Sequence, residues 1–171
     1  MNGKRVALDT NILVYSVDLD AGNKHDKAIE LFAQLTPSNC VLSLQSLCEF
    51  FSAVTRKNLM PVADAMAQID DWQHLFPVVS AKAATLTRVF AAMKRYQLSF
   101  WDALLWATIR EAGITTLLSE DFQHEQLLVA CKSLILSRSR ISASYSRNLQ
   151  STGGNRIGVF ASIAWVRREA P

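Results

Sequence analysis

The sequence predicts an α/β domain built on a largely parallel sheet with helices on both faces. Short apolar runs, typical of buried strands, alternate along residues 1–136 with longer segments whose apolar residues recur at helical spacing. Half of the 171 residues are hydrophobic, enough for a substantial core. Strand–helix alternation of this kind favours a parallel sheet, and sites in such sheets collect at the carboxyl ends of the strands.

The individual elements follow from the same patterns. The predicted strands are 6–8, 40–44, 76–80 and 115–119. The predicted helices are 25–35, 46–57, 61–75, 81–96 and 99–113. Pro61 suits a first helical turn, and Gly113 suits a helix end.

Composition excludes several classes of protein. The length indicates one domain, with room for an appendage. The three cysteines, Cys40, Cys48 and Cys131, show no metal-ligand spacing and are an odd number, so a disulfide scaffold or a zinc site is not expected. The apolar run after Arg5 is too short for a signal peptide, and no run reaches the ~20 residues of a membrane span. We expect a cytoplasmic protein with no membrane partner.

The charge is distributed unevenly. Residues 1–136 hold twelve basic and fourteen acidic residues, whereas residues 137–171 hold six basic and one acidic residue. The net charge of +3 therefore arises in the tail and is weak support for nucleic-acid binding. We predict a folded domain over 1–136 and a Ser/Arg-rich basic tail over 137–171, flexible or loosely packed.

Four acids are expected to lie near one edge of the sheet. Asp9 and Asp121 each follow a predicted strand, and Glu49 and Asp102 each lie in the first turn of a predicted helix. If the loop before Ser99 lies at the same edge, all four converge on one cleft.

Each acid also has a simpler interpretation. The spacings Ser46 to Glu49 and Ser99 to Asp102 fit a helix capping box, in which the acid closes back on the first amide. Asp121 could cap a helix over 122–128, and the stretch Asp9-Thr10-Asn11 could form a turn. The four acids together are harder to explain in this way than any one of them.

Clustered carboxylates repel one another and so need a cation. Oxygen ligands without His or Cys suit Mg²⁺ or Mn²⁺, whose usual work is phosphate chemistry. The three histidines, His25, His74 and His124, show no paired ligand spacing. The sequence also lacks the glycine-rich phosphate loops and the nucleophile elbow of other enzyme classes.

The chain resembles the PIN-domain ribonucleases, and within them the VapC-type toxins of toxin–antitoxin pairs. The matching stretches are ALDTNILVYSVD, SLQSLCEFFSAVTRK and LSFWDALLWATIREAGITTLLSEDFQH, and the resemblance covers about residues 4–126. It implies a three-layer α/β/α sandwich and Mg²⁺- or Mn²⁺-dependent cleavage of RNA. By position, Asp9, Glu49, Asp102 and Asp121 would be catalytic metal-site residues, and Asn11 and Ser119 would support them. A cognate antitoxin and a homodimer are further expectations of the resemblance.

The chain departs from that family after residue 126. The short last strand and ending of similar members are replaced by LLVACKSLILSRSRISASYS, and a lost final strand would leave a sheet edge unpaired. The tail is read as an altered or passive segment, with RNA binding through its arginines as the alternative.

Two other functions stay open at this stage: a non-catalytic PIN-like module that binds RNA or a partner, and a structure-specific DNA nuclease. Trp72, Trp101 and Trp106 are candidates for stacking on RNA, although the helical spacing favours core positions for Trp101 and Trp106. Four basic residues are candidates for phosphate contacts: Arg56, Lys57, Lys94 and Arg95.

Overall fold

The computed structural model describes residues 5–120 and the backbone of residues 132–134. The strands are short, and all but β5 are mainly apolar: β1 (Val6–Leu8), β2 (Cys40–Ser43), β3 (Val78–Val79), β4 (Thr116–Leu118) and β5 (Lys132–Leu134). The helices are α1 (Thr10–Tyr15), α2 (Asn23–Phe32), α3 (Leu44–Arg56), α4 (Val62–Leu75), α5 (Thr85–Tyr96) and α6 (Phe100–Glu111). No helix in this described part of the chain is long and apolar enough to cross a membrane.

The sheet is parallel throughout, in the order β3-β2-β1-β4-β5. Val6 is in register with Cys40 on one side and with Thr116 on the other, so β1 is central. The chain builds outward from β1 to β3 and then crosses over to start again with β4. The carboxyl ends of β1 and β4 therefore flank the point where the strand order reverses, which is where parallel sheets place their sites.

Helices cover both faces, which confirms the three-layer α/β/α architecture. Successive strand residues point to opposite faces, so Val6 and Leu8 join the core under α1 to α4, whereas Ala7 joins the core under α6. On the first face Trp72 stacks on Phe32, with ring centroids 5.7 Å apart, and meets Phe50 edge-on at 4.8 Å. Trp72 is thus a core residue, 2% exposed, and is not available for stacking on RNA.

Most predicted elements are confirmed with boundaries shifted by a few residues, and three differences matter. The stretch after Asp9 is a helix, α1, where the sequence left a turn open. The helix α3 begins at Leu44, two residues earlier than predicted. The prediction of a core position for Trp101 is wrong, because the side chain is 59% exposed.

The edge of the sheet next to β4 is paired. The strand β5 lies parallel to β4, with Leu118 in register with Leu134, so the expectation of a lost final strand is not met. Asp121, the predicted domain boundary at residue 136 and the tail over 137–171 lie outside the described residues.

Candidate active site

Asp9 lies at the carboxyl end of β1 and caps α1. Its backbone is extended (φ −78°, ψ 159°), and its backbone N–H donates to the Leu118 carbonyl of β4 at 2.9 Å. One carboxylate oxygen accepts from the Thr10 N–H at 2.7 Å. The other accepts from the Ser119 hydroxyl. Asp9 is therefore fixed by the first residue of α1 and by the end of β4.

Glu49 reaches the same place from α3. Its Oε2 accepts from the Thr10 hydroxyl at 2.7 Å, and its Oε1 accepts from the Gln45 amide at 2.9 Å. Thr10 thus links the two acids, because its N–H donates to Asp9 and its hydroxyl donates to Glu49. The side chains of Asp9 and Glu49 are brought together as the sequence predicts.

The predicted capping role of Glu49 is wrong. The N-cap of α3 is Ser43, whose hydroxyl accepts from the Ser46 N–H at 2.9 Å. Glu49 then lies in the second turn, beyond reach of the cap, so its carboxylate is directed at Thr10 and Gln45 instead.

A buried hydroxyl holds α3 against β1. Ser46 is fully buried, and its hydroxyl donates to the Leu8 carbonyl at 3.1 Å. Leu8 directly precedes Asp9, so this bond sets the start of α3 relative to the end of β1. The position of Glu49 beside Thr10 depends on it.

Asp102 lies in the first turn of α6, as predicted. Ser99 is the N-cap, and its hydroxyl accepts from the Asp102 N–H at 3.2 Å and donates to the Asp102 carboxylate at 2.7 Å. The Asp102 carboxylate therefore contacts the cap of α6 through the Ser99 hydroxyl, whereas the simpler interpretation of the sequence has it accept from the Ser99 N–H.

The pKa of Asp9 is affected by both Glu49 and Asp102. Burial raises the pKa of the Asp9 carboxyl, and the charges of Glu49 and Asp102 raise it further, against the hydrogen bonds from Ser119 and Thr10. A bound cation would offset the burial and the repulsion between like charges, and would so lower the pKa again.

Asn11 and Ser119, which the resemblance implies as supporting residues, lie beside Asp9. Ser119 is fully buried at the end of β4, and the Asn11 amide donates to its hydroxyl at 3.3 Å. The Ser119 hydroxyl donates in turn to Asp9. The two residues therefore orient the Asp9 carboxylate from the side of β4.

The acids that the structure describes near Asp9 have the right chemistry for a divalent cation such as Mg²⁺, but they are not grouped closely enough to form a complete site. Within residues 5–120 and 132–134, no three His, Cys, Asp or Glu side chains are grouped closely enough to hold a metal ion. The acids that do approach one another offer carboxylate oxygens only, which suits Mg²⁺ or Mn²⁺ and not zinc. The fourth predicted acid, Asp121, lies outside the described residues.

Several residues around the site were not predicted from the sequence. Gln45 bridges two elements, donating to Glu49 and to the Trp101 carbonyl at 3.0 Å. Glu120 accepts from the Tyr15 hydroxyl and forms an ion pair with Lys24 at 2.7 Å. Only Gln45 carries a sequence signal, its i, i+4 spacing to Glu49 on one helix.

Comparison with known folds gives several solved toxins. The chain is similar to the crystal structure of VapC20 of Mycobacterium tuberculosis, a sarcin–ricin loop cleaving toxin, with TM-score 0.55, 24% identity and coverage of 66% of this chain and 86% of that chain. It is similar to a toxin–antitoxin complex from Klebsiella pneumoniae, with TM-score 0.57, 18% identity and coverage of 74% and 95%. It is also similar to VapBC2 of Rickettsia felis bound to promoter DNA, with TM-score 0.55, 14% identity and coverage of 75% and 98%.

Comparison with curated proteins gives no match. The solved structures are too distant in sequence to establish more than a shared fold. The family model for the PIN domain, however, matches residues 6–127, about seven-tenths of the chain and all of the elements around the site. The chain belongs to the PIN domain family.

Proposed function

We propose that the protein is an endoribonuclease that needs Mg²⁺ or Mn²⁺ and acts as the toxin of a toxin–antitoxin pair. One observation carries the proposal: Thr10 hydrogen-bonds to both Asp9, at the end of β1, and Glu49 of α3, and the charges of Glu49 and Asp102 raise the pKa of Asp9. The PIN family membership and the solved toxins of the same fold support the assignment to RNA cleavage.

The metal would be held by Asp9, Glu49 and Asp102, with Asp121 as the fourth acid expected from the family resemblance. A bound divalent ion would activate water for attack on a phosphodiester and offset the charge that develops on the phosphate. The protein supplies orientation: the Thr10 N–H and the Ser119 hydroxyl fix the Asp9 carboxylate, and Gln45 with the Thr10 hydroxyl fixes Glu49.

The partners belong to the same proposal. The Klebsiella structure is a toxin–antitoxin complex, and the Rickettsia structure is a VapBC pair on promoter DNA. We accordingly propose a cognate antitoxin that silences the enzyme, a cytoplasmic RNA substrate and self-association into a dimer. Growth arrest on expression, relieved by a co-expressed neighbouring gene product, is the expected result for a toxin.

The direct test is cleavage of a mixed single-stranded RNA pool with Mg²⁺, with Mn²⁺ and with EDTA. We expect cleavage only with a metal, and Asp9→Asn should lower the rate at least about 100-fold, beyond the 10- to 100-fold typical of residues that only orient ligands. The matched control is Asp70→Asn, an equally conservative change at an exposed residue of α4 that pairs with His74 one turn further along the helix. Circular dichroism of each variant establishes that it is folded.

A second function is favoured by the incomplete ligand set of residues 5–120. A non-catalytic PIN-like module would bind RNA or a partner without needing three grouped ligands. The same assay separates the two: folded, metal-supplemented wild-type protein that binds RNA in gel shifts but never cuts it would establish the module and overturn the enzyme.

A further inference from the structure

A groove of about 740 Å³ lies between α3 and α6 beside the acidic site. We call it the α3–α6 groove. On the α3 side it is lined by Gln45, Glu49 and Arg56, which recur along one face of the helix. Its volume is within the range of pockets that enclose small ligands. Because Glu49 and Thr10 both line it, a molecule in the groove would touch the acidic site.

The α6 side of the groove presents an exposed tryptophan. Trp101 is 59% exposed, meets Phe100 edge-on with ring centroids 5.2 Å apart, and directly precedes Asp102. A single exposed aromatic side chain is not unusual, but Trp101 lies on the wall of a groove, where its ring is available for stacking. Leu104 and Thr108 continue this wall one and two turns further along α6.

Gln45 joins the tryptophan wall to the acidic site. Its amide donates to Glu49 at 2.9 Å and to the Trp101 backbone carbonyl at 3.0 Å. The distance between the aromatic wall and Glu49 is therefore fixed by one side chain. A group stacked on Trp101 would be held at a set distance from the acids.

The groove has an acidic residue near its middle and a basic residue towards the C-terminal end of α3. Glu49 is the acidic residue of its lining and Arg56 the basic one, two helical turns or roughly 10 Å further along α3. Arg56 is exposed at the last turn of the helix. Gln45, which contacts the Trp101 carbonyl, lies one turn before Glu49, and Arg56 lies two turns after it, so an aromatic side chain, an acidic centre and a guanidinium follow one another along the groove. This order suits a nucleotide chain with a base on Trp101, a phosphate at the acidic centre and a further phosphate at Arg56.

We propose that the α3–α6 groove binds one unpaired base of single-stranded RNA next to the phosphodiester that is cut. Trp101 stacks on the base, and Arg56 contacts a neighbouring phosphate. This inference rests on the proposed function for the identity of the chemistry, but the binding itself needs no cleavage. A protein segment is the competing occupant, and the experiment below distinguishes it.

The test is RNA affinity measured in EDTA, where cleavage is suppressed, with a fluorescein-labelled single-stranded RNA of mixed sequence. We expect Trp101→Ala to weaken binding about tenfold, within the range for loss of one base–aromatic stack, and Trp101→Phe to restore most of it. The matched control is Phe90→Ala, which removes an aromatic side chain that is 57% exposed on α5, outside the groove. It should leave the affinity unchanged.

The salt dependence tests Arg56 separately. Arg56→Gln should reduce the slope of log affinity against log salt by about 0.7, the value for one lost contact with a single strand. Arg88→Gln is the control, because it removes a guanidinium on α5, outside the groove, that forms an ion pair with Glu111 of α6 at 3.2 Å. It should leave the slope unchanged.

The outcomes separate the two proposals. Wild-type affinity in Trp101→Ala, with the fold intact by circular dichroism, would overturn the groove assignment even if Asp9-dependent cleavage is found. Weakened binding in a protein that never cleaves would support the groove and count against the nuclease. A change in oligomeric state in Trp101→Ala without a change in RNA affinity would make the groove a protein interface and also overturn it.

Discussion

Asp9 is the residue at which stability and the proposed metal binding oppose each other. Its carboxyl is buried and lies near two other acids, and its pKa is raised for both reasons. A group whose pKa is raised on folding stabilises the native state below its unfolded pKa, and this contribution is lost as the pH rises through the folded pKa. Without metal, raising the pH through that range therefore lowers the stability of the protein through Asp9.

We expect Asp9→Asn to raise stability at pH 7 in EDTA by about 1 kcal/mol, in the range of single stabilising changes at functional sites. The asparagine keeps an oxygen for the Thr10 N–H and loses the charge, and its amide nitrogen takes the place of the oxygen that accepts from Ser119, so the Ser119 hydroxyl has to turn to accept from it. Thermal unfolding should show a rise in Tm of about 2–4 °C for a chain of this size. The difference should vanish near pH 3, where the wild-type carboxyl is neutral in both states.

Metal should reverse that order. A cation that binds only the folded state raises the Tm of the wild type by mass action, whereas Asp9→Asn should gain much less. Asp70→Asn should follow the wild type throughout. A lower Tm for Asp9→Asn than for the wild type in EDTA at pH 7 would contradict this account of the site.

At the scale of elements, the packing of α3 on β1 decides whether the acids meet. Ser46 is fully buried and donates to the Leu8 carbonyl, one residue before Asp9. Its hydroxyl also bonds with that of Ser43, the cap of the same helix, at 2.8 Å. This small network joins the start of α3 to the strand that carries Asp9.

We expect Ser46→Ala to lower the free energy of unfolding by about 1–2 kcal/mol, because it leaves a buried carbonyl without its donor. Urea unfolding measures the loss. Ser52→Ala is the matched control, since Ser52 is an exposed residue on the same helix, and it should change stability by less than about 0.5 kcal/mol. Equal stability of the two variants would show that the Ser46 bond does not hold α3 in place.

The same elements show what the sequence could predict. Local rules predict both ends of α6. The structure has Ser99 as its N-cap, Asp102 in its first turn and Gly113 (φ +74°) just after its end, as the sequence indicates. The start of α3 was placed wrongly because Ser43 and Ser46 are both good caps, and the choice is made by packing on β1. The spacing of residues within the helix does not indicate how the helix packs on β1.

At the scale of the whole molecule, the parallel order of the sheet creates the site. The predicted alternation of strands and helices was enough for the fold class, because each crossover helix must cover a face. The hydrogen bond between Thr10 and Glu49 joins residues 39 positions apart, which no local pattern predicts. The sequence indicates only that four acids lie at the ends of strands and helices and so could meet. The exposure of Trp101 depends likewise on the gap between α3 and α6, which helical spacing does not encode.

A second long-range contact fixes the far side of the site. Glu120 follows Ser119 at the end of β4, accepts from the Tyr15 hydroxyl and pairs with Lys24 at the start of α2. Burial would raise the pKa of Glu120, but the hydrogen bonds from Lys24 and Tyr15 outweigh it and lower the pKa. A carboxyl whose pKa is lowered on folding stabilises the native state above its unfolded pKa, and this contribution is lost as the pH falls.

We therefore expect Glu120→Gln to lower the Tm modestly at pH 7, as suits a largely exposed pair, and to leave it unchanged near pH 3. Glu30→Gln, at an exposed residue of α2, is the matched control and should leave the Tm unchanged at both values. High salt should shrink the effect at pH 7, because exposed charges are screened. A deficit in Tm that persists at pH 3 would show that Glu120 acts by packing and not by its charge. The contact would then join α1 and α2 to the end of β4 without any dependence on protonation.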